Sequence, residues 1–154
     1  MKTFTQLVKE ASENVAEVFP WDIGERFPSQ DLLIVDVREP YEYDAMHIAD
    51  SLNVPRGILE TACEYNFEET VPELVTAREK HIILVCRSGN RSIFAAEVMQ
   101  QMGYQHVYSL KTGLRGWADN ELPLFDNDNN PVDIDAAEAY FLPQVRPDQI
   151  AKKS

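Results

Sequence analysis

Three short, almost continuous apolar runs constrain the fold of this chain more than any other feature. They are Leu32–Val37, Ile82–Val85 and Val107–Leu110. Runs of this length and composition are typical of strands that are buried on both faces of a parallel sheet. A helix-like pattern follows each run, and strands that alternate with helices predict an α/β domain with a parallel sheet.

The remaining elements follow from apolar periodicity and from the proline and glycine positions. Phe4 to Val18 has the spacing of one amphipathic helix, which Pro20 is expected to end. Residues 57–79 indicate only helical turns, near 57–62 and 70–78. Further helices are predicted over 40–47, 92–102, 113–119 and 133–142, with a short strand at 52–54.

Composition limits the class of protein. With 154 residues and 44% hydrophobic content, the chain is long enough for one domain with one substantial core. A net charge of −12 argues against nucleic acid or an anionic membrane as partner, since both need a basic surface.

Cysteine content and the start of the chain bear on location. Two cysteines do not make a disulfide framework, although the sequence alone does not exclude one disulfide between them. No apolar leader follows Met1, and no run approaches membrane-spanning length. We therefore expect a cytoplasmic protein, in a compartment whose reducing conditions suit a free thiol.

Cys86 is the leading catalytic candidate. It follows a predicted buried strand and precedes a polar loop that contains Gly89, and a helix then begins. Unpaired N–H groups at the helix start, a glycine-bent loop and the charges of Arg87 and Arg91 would together favour a nucleophilic thiolate. The alternative is an inert core cysteine, but a core position does not require a polar glycine loop.

The length of this loop separates two chemistries. A cysteine phosphatase needs an arginine six positions after the nucleophile to clamp phosphate. That position is Ser92, and Arg91 falls one place short. The tighter loop suits a single sulfur atom carried on Cys86 better than a bound phosphate.

Several motifs together resemble those of a single-domain rhodanese. They are Asp-Val-Arg-Glu-Pro at 36–40, Asn-Val-Pro at 53–55, Cys-Arg-Ser-Gly-Asn-Arg-Ser at 86–92 and Gly-Leu-Arg-Gly-Trp at 113–117. The resemblance covers about 30–124. It leaves an N-terminal helical extension, 1–29, and an acidic C-terminal extension, 125–154.

The resemblance implies a rhodanese-like α/β fold with a five-stranded parallel sheet and helices on both faces. It also implies transfer of sulfane sulfur from thiosulfate or a related anion to cyanide or a thiol, through a persulfide on Cys86. A protein thiol is a further possible acceptor, and no cofactor is expected. The substrate-binding candidates are Arg87, Ser88, Gly89, Asn90, Arg91 and Ser92.

Alternative functions stay open. The chain could be a sulfur carrier or regulatory module for a protein partner, or a related cysteine phosphatase or arsenate reductase. Histidine and cysteine are too few, and wrongly spaced, for a zinc site. Cys63 is interpreted as a structural thiol, with a sulfur relay as its alternative role. Asp36, Arg38, Arg56 and Lys111 are candidates for supporting the site, the first two as a bracing ion pair.

Overall fold

The computed structural model describes residues 1–27 and 29–153; Pro28, expected to interrupt regular structure, and Ser154 lie outside the described residues. It confirms an α/β fold built on five parallel strands in the order β1-β5-β4-β2-β3. The strands are β1 (Ala16–Val18), β2 (Leu32–Asp36), β3 (Leu52–Asn53), β4 (His81–Val85) and β5 (His106–Leu110). The helices are α1 (Phe4–Ser12), α2 (Pro40–Ala45), α3 (Leu59–Ala62), α4 (Pro72–Val75), α5 (Arg91–Gln101), α6 (Gly113–Asp119) and α7 (Ile134–Phe141).

Helices cover both faces of the sheet, as expected. Alternate residues of β4 point to opposite faces, so Ile82 and Leu84 join one core while Ile83 and Val85 join the other. The first core takes in residues of α1, α3, α4 and α5, and the second takes in residues of α6 and α7. Among the described residues, no helix is long and apolar enough to cross a membrane.

The expectation of one helix over residues 4–18 is wrong beyond Ser12. The helix begins at the Thr3 cap, and the chain then turns so that Ala16–Val18 pairs in parallel with Tyr108–Leu110. This pairing covers the edge of β5, whose backbone groups would otherwise lie unpaired. Pro20 therefore does not end a helix, but begins a short 3₁₀ turn, Pro20–Asp22.

The two terminal segments pack against the rest of the molecule. The N-terminal segment supplies an edge strand of the sheet, and α1 packs against α5. In the C-terminal segment, α7 packs against α6, and its Phe141 is buried. The division at residues 29 and 124 stays a prediction, but both segments lie close to the ends of the strands that carry the candidate site.

Candidate active site

The turn between β4 and α5 surrounds the sulfur of Cys86 with hydrogen-bond donors. The backbone N–H groups of Gly89 and Ser92 point at Sγ, with N···S distances of 3.2 and 3.4 Å. The Ser92 hydroxyl lies 3.3 Å from Sγ and accepts the proton of the neutral thiol. A thiolate has no proton to give, so the hydroxyl must then turn and donate. Three donors thus converge on the sulfur of a residue that is 1% exposed.

A second buried serine supports this hydroxyl. Ser109, on β5, places its Oγ 2.7 Å from the Oγ of Ser92, and both residues are fully buried. Ser109 can donate to Ser92 while Ser92 donates to the sulfur. Ser109 was not among the residues predicted from the sequence, although a hydroxyl within an otherwise apolar strand is a signal that could have identified it.

The start of α6 holds the backbone of the cysteine loop. Leu114 N–H donates to the carbonyl of Cys86, and Arg115 N–H donates to the carbonyl of Arg87, both at 2.9 Å. These bonds satisfy two carbonyl groups of the loop through the free N–H groups of the α6 helix start.

Two glycines make this close approach possible. Gly89 has φ +90° and Gly113 has φ +59°, a region that side chains rarely adopt. A Cβ on Gly113 would lie 2.5 Å from the carbonyl oxygen of Cys86, which is well inside van der Waals contact. The loop and the β5–α6 turn therefore depend on each other's backbone shape.

The guanidinium of Arg87 does not turn toward the sulfur, contrary to the expectation that it adds charge there. It donates to the carbonyls of Phe141 and Leu142, at 3.2 and 2.9 Å. Carbonyls at the end of a helix lack partners within that helix, so a cation there is favourable. This contact ties the candidate active-site loop to the C-terminal segment.

The guanidinium of Arg91 is likewise bound to the protein. It forms a two-bond ion pair with Glu42 of α2, at 2.8 and 3.0 Å. Burial raises the pKa of Glu42, but the hydrogen bonds and charge of Arg91 outweigh it, so the pKa lies below its usual 4.5. The hydrogen bonds that Arg91 donates to Glu42 also raise the pKa of Arg91. Any role of Arg87 or Arg91 in binding the anionic sulfur donor stays a prediction.

Asp36 and Arg38 form a fully buried ion pair at the end of β2. The Nε and Nη2 atoms of Arg38 donate to both carboxylate oxygens at 2.8 to 3.1 Å, and Nη2 also donates to the carbonyl of Met46 at 2.7 Å. Neither side chain is exposed to solvent. Within the described part of the chain, the Nη1 atom of Arg38 has no hydrogen-bond partner.

The two remaining candidate residues, Lys111 and Arg56, have different surroundings. Lys111 lines one open cleft together with the loop residues Ser88, Gly89 and Asn90, so the fold brings it to the candidate site. Arg56 instead pairs with Glu60 at 2.7 Å. A role in binding the sulfur donor stays a prediction for both Lys111 and Arg56.

Cys63 and His47 have structural surroundings. Cys63 is fully buried, and burial raises the pKa of its thiol. Burial likewise raises the pKa of its neighbour Tyr104, whose hydroxyl donates to the carbonyl of Leu74 at 2.7 Å. The imidazole of His47 stacks on Tyr43, with ring centroids 3.9 Å apart, and its Nδ1 lies 2.8 Å from the carbonyl of that residue.

Comparison with known proteins places this chain in a family. Residues 22–120 match the family model of the rhodanese-like domain. A sulfurtransferase from Allochromatium vinosum is 30% identical over 96 residues, which are 62% of this chain and 80% of that protein. The chain spans between 42% and 80% of the length of four curated relatives. One of these four is a protein from Synechocystis, of which the chain spans 52%.

Solved structures agree on the fold. A protein of unknown function from Rhodopseudomonas palustris, described as a possible tyrosine phosphatase, superposes with a TM-score of 0.72 at 25% identity, covering 80% of this chain and 94% of that one. A rhodanese-related protein from Thermoplasma volcanium superposes with a TM-score of 0.57 at 26% identity, covering 71% and 96%.

Proposed function

This chain belongs to the rhodanese-like domain family, and from that membership we propose that it is a sulfurtransferase that works through a persulfide on Cys86. The donor is thiosulfate or a related sulfane-sulfur anion, and the acceptor is a thiol or cyanide. The observation that carries the proposal is the convergence of the Gly89 and Ser92 N–H groups on the sulfur.

The reaction is a double displacement with a covalent intermediate. The Cys86 thiolate attacks the outer sulfur of thiosulfate and forms a new S–S bond. The S–S bond of thiosulfate breaks, and sulfite leaves with the electron pair. An acceptor thiolate or cyanide then attacks the outer sulfur of the persulfide, and the Cys86 thiolate leaves. The two steps balance without an external oxidant or reductant.

The loop donors supply stabilisation where negative charge lies in each state. N–H groups fixed in advance stabilise a developing anion without reorganising during the reaction. Here the donors to Cys86 are held because Leu114 and Arg115 bind the carbonyls of the loop. Since no proton has to move in either displacement, the mechanism needs no general base.

A phosphatase activity fits the site less well. Phosphate clamping needs an arginine that turns its guanidinium into the loop. Arg91 falls one position short of that place and binds Glu42 through two hydrogen bonds. The likeness to the possible phosphatase from Rhodopseudomonas palustris therefore supports the shared fold and not the shared reaction.

A sulfur-carrier role is the alternative function that uses the same Cys86 persulfide. In that case the Cys86 persulfide would pass to a protein thiol much faster than to cyanide. A reducing compartment such as the cytoplasm would suit either role, since it keeps thiols such as Cys86 and Cys63 reduced. Both cysteines are free.

Steady-state sulfur transfer tests the proposal. Thiosulfate and cyanide are varied, and thiocyanate and sulfite are measured. We expect the parallel double-reciprocal lines of a double displacement. Cys86→Ala should abolish turnover, whereas Cys63→Ala, which removes the other buried thiol, should retain it. Turnover that survives Cys86→Ala, or no transfer with any sulfane-sulfur donor and any thiol acceptor, contradicts the proposal.

A further inference from the structure

An open cleft of about 510 Å³ lies beside the cysteine loop, and neither the fold nor the persulfide chemistry accounts for it. Ser88 of the loop lines it, so the cleft lies two residues along the chain from Cys86. Its volume is in the range of sites that take small molecules. We call it the aromatic cleft, and its lining residues include Phe19, Trp21, Ser88, Arg115 and Asp119.

One wall consists of an exposed aromatic pair. The rings of Phe19 and Trp21 stack almost in parallel, with centroids 4.6 Å apart and 5° between the planes. Phe19 is 38% exposed and Trp21 is 54% exposed, so neither ring is spent on the core. A hydrogen bond of 2.8 Å from Phe19 N–H to the carboxylate of Asp22 fixes this turn. The pair precedes the residues that match the family model.

Two other lining residues carry charges of opposite sign. Arg115 and Asp119 lie one turn apart on α6, and among the described residues neither belongs to an ion pair. The backbone of Arg115 is held in place, since its N–H donates to the carbonyl of Arg87 in the loop. Lys111 adds positive charge next to the cleft, with Nζ 5.4 Å from the ring centroid of Phe19.

These features describe a complementary ligand. A carboxylate would face Arg115 and Lys111, an ammonium group would face Asp119, and a short aliphatic chain would lie against Trp21. Resting on the sulfurtransferase function proposed above, we propose that the aromatic cleft binds the acceptor, and that the acceptor is a small thiol carrying an α-amino acid group. The carboxylate and ammonium would orient its thiol toward the Cys86 persulfide beyond Ser88.

Three thiols of matched length test the charge pattern. L-Cysteine has both charged groups, 3-mercaptopropionate lacks the ammonium, and cysteamine lacks the carboxylate. Protein loaded with persulfide, as verified by mass, is mixed with each thiol, and loss of the persulfide is timed. Each thiol is compared only with itself across variants, so differences in thiol reactivity cancel.

The variants should separate the two charges. Arg115→Gln should slow transfer to cysteine and to 3-mercaptopropionate about 5- to 10-fold, the range for a partly solvated charged hydrogen bond, and leave cysteamine unchanged. Asp119→Asn should slow cysteine and cysteamine similarly, and leave 3-mercaptopropionate unchanged. Lys80→Gln is the matched control, since Lys80 precedes β4 at the opposite end of that strand from Cys86. Equal slowing of all three thiols, or none, overturns the proposal.

A binding measurement keeps this test independent of the sulfur chemistry. S-Methylcysteine keeps both charged groups but cannot accept sulfur, and its titration is followed through the indole N–H NMR signal of Trp21. We expect a saturable shift that both cleft variants weaken and Lys80→Gln preserves. A protein that binds S-methylcysteine but never forms a persulfide would refute the sulfurtransferase function, and with it the acceptor role, but not the binding of an amino acid group in the cleft. Absence of a saturable shift would refute the cleft assignment alone.

Discussion

Removing one member of the buried Asp36–Arg38 pair should destabilise the protein far more than removing both. Asp36→Asn keeps the size of the side chain but leaves the guanidinium without a counter-charge at a site with no solvent exposure. Arg38 would keep its bond to the carbonyl of Met46, which offsets only part of the lost charge.

The magnitude follows from the geometry. Breaking a buried ion pair by removing one partner costs about 3–5 kcal/mol, because an uncompensated buried charge remains. In the double variant Asp36→Asn/Arg38→Met no buried charge remains, and the amide oxygen at position 36 still accepts from the backbone N–H of residue 38. The main loss is then the donor to Met46, about 1–3 kcal/mol. The double variant should therefore be more stable than Asp36→Asn, by about 2 kcal/mol.

Urea unfolding followed by tryptophan fluorescence measures these differences, and similar slopes in all variants would show that the free energies are comparable. Glu10→Gln is the control, because Glu10 pairs with Lys2 at the same 2.8 Å distance but with both side chains at least half exposed. It should cost less than about 1 kcal/mol. A cost for Asp36→Asn as small as that of the control, or a double variant less stable than Asp36→Asn, would show that the unpaired buried charge is not the main cost.

Three further outcomes are expected. Gly113→Ala should destabilise the fold by at least about 2 kcal/mol more than Gly103→Ala, since both have positive φ but only Gly113 lies against the cysteine loop; equal costs in urea unfolding would contradict this packing. Since the pKa of Glu42 is lowered in the folded state, its stabilisation is complete above its unfolded value of about 4.5 and is lost as pH falls through the folded value. The stability difference between the wild type and Glu42→Gln should therefore shrink below about pH 4.5. A difference that grows there would contradict the lowered pKa of Glu42. Cys63, buried and with a raised pKa, should resist iodoacetamide until the protein unfolds, and peptide mapping that finds it alkylated in folded protein would contradict its burial.

Local patterns were enough to predict much of the fold. The runs at β2, β4 and β5 are apolar because both faces of each strand are buried, so the residues themselves carry the signal. The same is true of the cysteine loop, where a glycine and a following helix are adjacent in sequence to Cys86. The donors from Gly89 and Ser92 thus follow from the local chain path.

Long-range choices of partner could not be predicted in this way. Val15 and Val18 fit a helical period, and only the open edge of β5 makes residues 16–18 a strand. Arg87 binds carbonyls more than fifty residues away, and Arg91 binds a carboxylate 49 positions earlier. The sequence shows that both arginines carry a charge, but it does not show which groups they bind.

Intact-mass measurement of the protein after incubation with thiosulfate shows whether Cys86 carries a persulfide. We expect a gain of one sulfur atom, which a thiol reductant reverses and Cys86→Ala abolishes. Cys63→Ala should gain the same mass, since it leaves the loop and its donors in place. An unchanged mass with thiosulfate and other sulfane-sulfur donors, or a sulfur atom carried on Cys63 instead of Cys86, would contradict a persulfide on Cys86.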